Sequence, residues 1–228
     1  MLFRSCRTCS IVDQDGERPR AGHLCRACGK PGNGGRLHFS INIHVLVDHM
    51  QSAYRATSPS YESSGPRGND VGTVLYFCTL RESLVNHFLI DHLLAQRVAP
   101  PLISRLLDDN KHASQKFGAL FSSVIGLKWK VAVGRASTAA DVDFNPVSSL
   151  MERAAQARNE FLHQGTPWCI KAILSKDCGD SSARLVHLFA ALHNEFTRPL
   201  RNNAQPLDHP PMRDGRRRTF GRLTHDRS

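Results

Sequence analysis

Four cysteines near the start of the chain fall in two matched pairs, Cys6-Arg-Thr-Cys9 and Cys25-Arg-Ala-Cys28. Two residues between cysteines let one tight turn aim both sulfurs at a single ion, and two such turns complete a tetrahedron. Gly29 follows the second pair directly and eases that turn. Between the pairs, Asp13-Gln14-Asp15-Gly16 reads as a hairpin tip. The spacing therefore predicts a small β-rich zinc ribbon over residues 1–47, with Cys6, Cys9, Cys25 and Cys28 holding one structural Zn2+. Four thiolates leave no position open for substrate. The rival reading is two disulfides or a redox pair; no secretory signal and no βαβ pattern accompany it.

A second group of residues lies far along the chain, in Arg158-Asn159-Glu160-Phe161-Leu162-His163-Gln164-Gly165. Arginine offers a planar fork to phosphate oxygens, and histidine is the side chain suited to give or take a proton near neutral pH. Asn159 lies four residues before His163, hence on the same helical face. Arg158 falls in line with the apolar Met151, Ala154 and Leu162, and Glu82 falls in the apolar stripe of an earlier helix. A buried charge is costly alone, so the two are expected to pair. The competing readings are a purely structural ion pair and a histidine that only caps its helix.

Five pairs in this chain have an arginine followed by histidine after four to six residues: Arg18/His23, Arg81/His87, Arg105/His112, Arg158/His163 and Arg218/His225. Only Arg158/His163 combines a following asparagine, a helix end and a glycine just beyond. In that context the segment resembles the motif of the HEPN superfamily: arginine, four to six residues, then histidine, with a polar residue directly after the arginine. The resemblance covers roughly residues 71–200. It implies an all-α bundle and a metal-independent endoribonuclease, with Arg158, His163, Asn159 and Glu82 as the catalytic set. It further implies a homodimer whose paired motifs face one cleft, and a place in a toxin–antitoxin or phage-defence system with an antitoxin or defence partner protein. The rival class is a non-catalytic zinc-containing nucleic-acid-binding or adaptor protein with a dimerising bundle.

The charge suits a polyanionic partner, with RNA the expectation; the alternative is basic ends that only keep the protein soluble. The formal net charge is +10. Residues 1–36 carry seven basic and three acidic side chains, residues 198–228 eight and three, and the middle is nearly balanced. Lys128-Trp129-Lys130 interleaves an aromatic ring with cations and could stack on a base, though a tryptophan closing the core fits as well. Arg216-Arg217-Arg218 adds a sequence-blind contact. His87 and Asp91, at i and i+4, form a weaker metal candidate.

The elements expected to position these groups follow from periodicity. Residues 37–47 alternate apolar and polar and read as a strand, with a helix continuing to Tyr54 as the alternative. Residues 48–70 read as a linker. Helices are expected over 71–98, 102–125, 147–163 and 181–200, with 126–146 irregular, and 201–228 as a basic, disordered tail. The fold class is mainly α, a HEPN-like helical bundle behind a small β-rich ribbon. No apolar run reaches the length of a membrane span, and no signal-peptide core is seen, so a cytoplasmic protein is expected.

Overall fold

A single long helix carries most of the packing. In the computed structural model, which describes residues 2–6, 8–15, 24–25, 27–30, 36–39, 41–55, 68–165 and 169–203, helix α2 runs Gly68–Ala95. It buries Val74, Phe77, Cys78, Leu80, Leu84, Val85, Phe88 and Leu89, which occupy more than one face. A helix apolar on several sides must be covered on several sides. Helix α1 (Ile41–Arg55), helix α7 (Asn145–Gln164) and helix α8 (Ala172–Leu192) supply that cover. Helix α8 has Ser175, Gly179 and Ser182 buried, small residues that permit a close approach.

The remaining helices close the bundle. Helix α3 (Pro100–Asp109) opens with proline in its first turn. Helix α4 (Ala113–Gln115), a π turn over Lys116–Leu120 and helix α5 (Phe121–Ile125) form one run, ended by Gly126 at φ 77°. Helix α6 (Trp129–Ala140) packs on α8, and a second π turn, His193–Thr197, leads into helix α9 (Arg198–Asn203). The described residues are thus mainly helical. Among them, no single helix is long and apolar enough to cross a membrane.

Three short strands precede the helices: β1 (Leu2–Ser5), β2 (Val12–Asp15) and β3 (Arg36–Leu37), in the order β2-β1-β3. Both pairings are antiparallel, with Arg4 opposite Asp13 on one side and Leu37 on the other.

Three expectations change. The alternating stretch 37–47 is a strand only at Arg36–Leu37, and α1 begins at Ile41, running into residues assigned to the 48–70 linker. Ile43, Val47 and Met50 are buried at steps of four and three, so the same letters also carry a helical stripe, which α2 and α8 stabilise by covering it. The irregular 126–146 contains α6, whose Ala132, Val133 and Ala136 are buried; Gly126 and Pro146 only punctuate its flanks. Helix α8 starts at Ala172, ahead of the expected 181. The expected tail beyond residue 203, with Arg216, Arg217 and Arg218, lies outside the described residues.

Candidate functional sites

The two cysteine pairs sit on matching turns. Ser10 N–H donates to the Cys6 carbonyl at 2.9 Å and Cys6 N–H to that of Ile11 at 2.8 Å. Gly29 N–H donates to Cys25 at 2.8 Å and Cys25 N–H to Lys30 at 2.9 Å. The residue after each second cysteine is left-handed, Ser10 at φ 56° and Gly29 at φ 64°. Glycine takes that conformation freely, whereas serine adopts it at a cost.

These turns bring the four sulfurs together. Cys6 Sγ lies 3.9 Å from Cys28 Sγ, and Cys9 Sγ 3.6 Å from Cys25 Sγ, with all four within 4.8 Å of one another. A disulfide would need about 2.05 Å. A tetrahedral ion with ~2.3 Å bonds sets its sulfurs about 3.8 Å apart. The four cysteines can therefore hold a metal ion. Burial would raise the Cys6 thiol, but N–H groups of Cys9 and Thr8 outweigh it and bring it down to about 7. Burial, with the neighbouring sulfurs, pushes Cys9 up to about 12. Sulfurs this crowded ionise together only around a cation.

The second site is a groove of about 710 Å³. Helix α7 lays Arg158, Asn159, Glu160 and His163 along it, and Gly165, left-handed at φ 66°, ends the helix two residues after His163. Arg158 Nη1 donates to Glu82 Oε1 at 3.0 Å, with the two side chains 34% and 35% exposed. The expected pair is thus made, at the edge of the bundle rather than deep inside it. Asn159 and His163 are exposed on the groove side.

Two groove residues were absent from the sequence-derived set. Arg81, 7% exposed, reaches in from α2, and His112 from the turn before α4. Arg81 Nη1 donates to the Met151 carbonyl at 3.0 Å, and its guanidinium lies 4.7 Å from the centre of the Phe117 ring. Its Nε is buried with no acceptor, and among the described residues no carboxylate stands at ion-pair distance. Burial lowers the Arg81 pKa from its ordinary value. The carboxylates of Glu82 and Glu152 act on it from beyond ion-pair distance. The backbone N–H of His112 donates to Gln115 Oε1 at 3.2 Å, fixing the start of α4. Each of these residues belongs to a rejected Arg/His pair, and only the fold, which brings α2, the turn before α4 and α7 around one groove, reveals them. Glu152 and Glu160 also line the groove; Glu160 accepts from Gln156 Nε2 at 3.0 Å.

Of the two roles read for Trp129, its surroundings fit the core-closing one. The ring is 9% exposed and packs edge-on to Phe117 at 4.8 Å and Phe121 at 5.1 Å, with Phe189 at 5.9 Å. Its Nε1 donates to Ser148 Oγ at 2.9 Å. Lys128 and Lys130 are exposed on either side, and the ring between them closes the core at the groove floor.

No protein-family model matches this chain, and no curated protein or solved structure does either.

Proposed function

We propose that the chain is a metal-independent endoribonuclease of HEPN type, acting on RNA in the groove of Arg158 and His163. The observation that carries this reading is the convergence there of two arginines and two histidines from three separate segments. Transesterification needs a base for the 2′-hydroxyl proton, a cation for charge on the phosphorane, and an acid for the departing 5′-oxygen. The 2′-oxygen forms a bond to phosphorus as its proton passes to one imidazole. The bond from phosphorus to the 5′-oxygen breaks as the other imidazole protonates that oxygen, leaving a 2′,3′-cyclic phosphate and a 5′-hydroxyl. His163 and His112 line the same groove and would fill both roles within one chain. Arg158, held by Glu82, and Arg81 would take the phosphoryl oxygens, and Asn159 would orient His163.

The proposal extends to the accessory parts. The four cysteines would hold a structural zinc in a ribbon, and the basic ends would add affinity for RNA. Leu162, beside His163, is 56% exposed, an apolar residue where a second copy would pack. A partner protein that silences the activity belongs to the same reading.

The test is cleavage of a long single-stranded RNA without added magnesium, by wild type and His163→Ala, with product ends identified. Cyclic phosphate ends from wild type alone support the proposal. Equal cleavage by both, or none by a folded wild type across several RNAs, replaces it with a binding or adaptor role.

A further inference from the structure

A separate cluster of titratable side chains lies where the cysteine turns meet the bundle. His38, just after β3, Asp91 on α2 and His193, at the start of the second π turn, each bring one ligand atom within 4.8 Å of the others. The His38 and His193 rings are 4.3 Å apart, centre to centre. His193 is almost wholly enclosed, its side chain 3% exposed.

The hydrogen bonding within this cluster is incomplete in a particular way. His193 Nε2 lies 3.2 Å from the Ser10 carbonyl, which can only accept, so that nitrogen carries the proton. In the neutral ring, His193 Nδ1 then presents a lone pair. It points into a space where Asp91 Oδ2 lies only 2.8 Å away, yet neither atom makes a hydrogen bond of acceptable geometry. Two buried acceptors so close together repel unless a proton or a metal ion neutralises them; the third ligand atom, from His38, suits the metal. The outer contacts follow the pattern of a ligated metal. The second nitrogen of one histidine bonds a backbone carbonyl, and the second oxygen of the carboxylate is taken by Arg201. His87 Nε2, one turn of α2 before Asp91, is also buried without a partner, and its ring stands 5.3 Å from that of His38.

We infer that His38, Asp91 and His193 form a second metal centre, for a divalent transition ion of zinc type. Two imidazoles and one carboxylate are the ligand chemistry that such an ion takes, with the fourth position left to water. His193 opens the π turn, a kind of local widening that recurs at functional sites. The centre ties three segments distant in sequence. It sits beside a clamp in which Asn194 accepts from Val12 N–H at 2.7 Å and donates to its carbonyl at 2.9 Å. Ser10 belongs to the first cysteine turn, so the two metal sites share a strut. The inference is independent of the proposed nuclease activity.

Metal stoichiometry of the full chain tests it. The apoprotein is titrated with cobalt and, separately, dialysed against zinc, with metal measured by mass spectrometry. Wild type is expected to saturate at two equivalents. One cobalt equivalent gives a thiolate charge-transfer band from the cysteines; the other adds only weak ligand-field absorption from nitrogen and oxygen donors. Asp91→Asn and the less enclosed His38→Ala are each expected to lose the second equivalent and keep the thiolate band, which also reports that the cysteine turns remain folded. Wild type that saturates at one equivalent or none overturns the inference, as do variants that retain two.

Discussion

Replacing Arg158 by alanine separates catalysis from scaffolding. Both side chains of the Arg158–Glu82 pair are about one-third exposed and joined by a single 3.0 Å hydrogen bond. Pairs exposed to this degree contribute roughly 0.2–1 kcal/mol. For a chain of this size, 1 kcal/mol moves the melting temperature by about 2–4 °C. Losing a donor that stabilises transition-state charge costs far more, about 2.7–4 kcal/mol or 10²–10³ in kcat. Arg158→Ala is therefore expected to melt within ~4 °C of wild type and to cleave 10²–10³-fold more slowly. Glu82→Gln keeps an acceptor for the guanidinium, so under the proposed positioning role it should fall between wild type and Glu82→Ala. The assay is the initial rate on a fluorescent single-stranded RNA without magnesium, beside a thermal melt. A rate within about threefold of wild type, ~0.7 kcal/mol, would refute the catalytic argument. A melting temperature lower by about 10 °C would instead make the pair a structural device worth several kcal/mol.

Four further outcomes follow from the same geometry. His112→Ala should slow cleavage about 10²–10⁴-fold if it serves as acid or base within one chain; full activity would return that role to a second subunit. Trp129→Phe should lower stability by about 1–3 kcal/mol by leaving Ser148 Oγ without its donor, and Trp129→Ala by ~3–5, both read from urea midpoints. A neutral Trp129→Phe with weakened RNA binding would restore the stacking role. Neutralising Arg216, Arg217 and Arg218 should flatten the log–log salt dependence of RNA binding by about 2, taking ~0.7 per charge on a single strand; an unchanged slope would remove the tail from the interface. Asn194→Leu strips the backbone of Val12 of both partners, at roughly 1–3 kcal/mol for each buried group. Hydrogen exchange at Val12 should quicken relative to α8, and unaltered protection would show that the clamp bears no load.

Local features were legible in the sequence because their physics is local. Two residues between cysteines define one turn, so the sulfur cluster could be read from spacing alone. Arg158, Asn159 and His163 share a helix, and a period of 3.6 residues puts them on one side whatever surrounds them. The apolar steps of α2 and α7 were equally plain, whereas the alternation over 37–47 fitted two periods and the wrong one was chosen. Nothing in the alternation itself could decide, because the surface that makes α1 a helix belongs to α2 and α8.

The sequence by itself thus determined a mainly helical chain with a four-cysteine cluster and an Arg–His helix end. Tertiary structure alone decided what stands beside them. Arg81 and His112 enter the groove because α2 and the segment before α4 pack against α7, a fact no single-segment pattern contains. Trp129 lies inside rather than out because three phenylalanines from two other segments close around its ring. His38, Asp91 and His193 converge only after the chain has folded back on itself twice. Spacing along the chain fixes geometry within a turn or a helix; between elements, geometry is set by which apolar faces find one another.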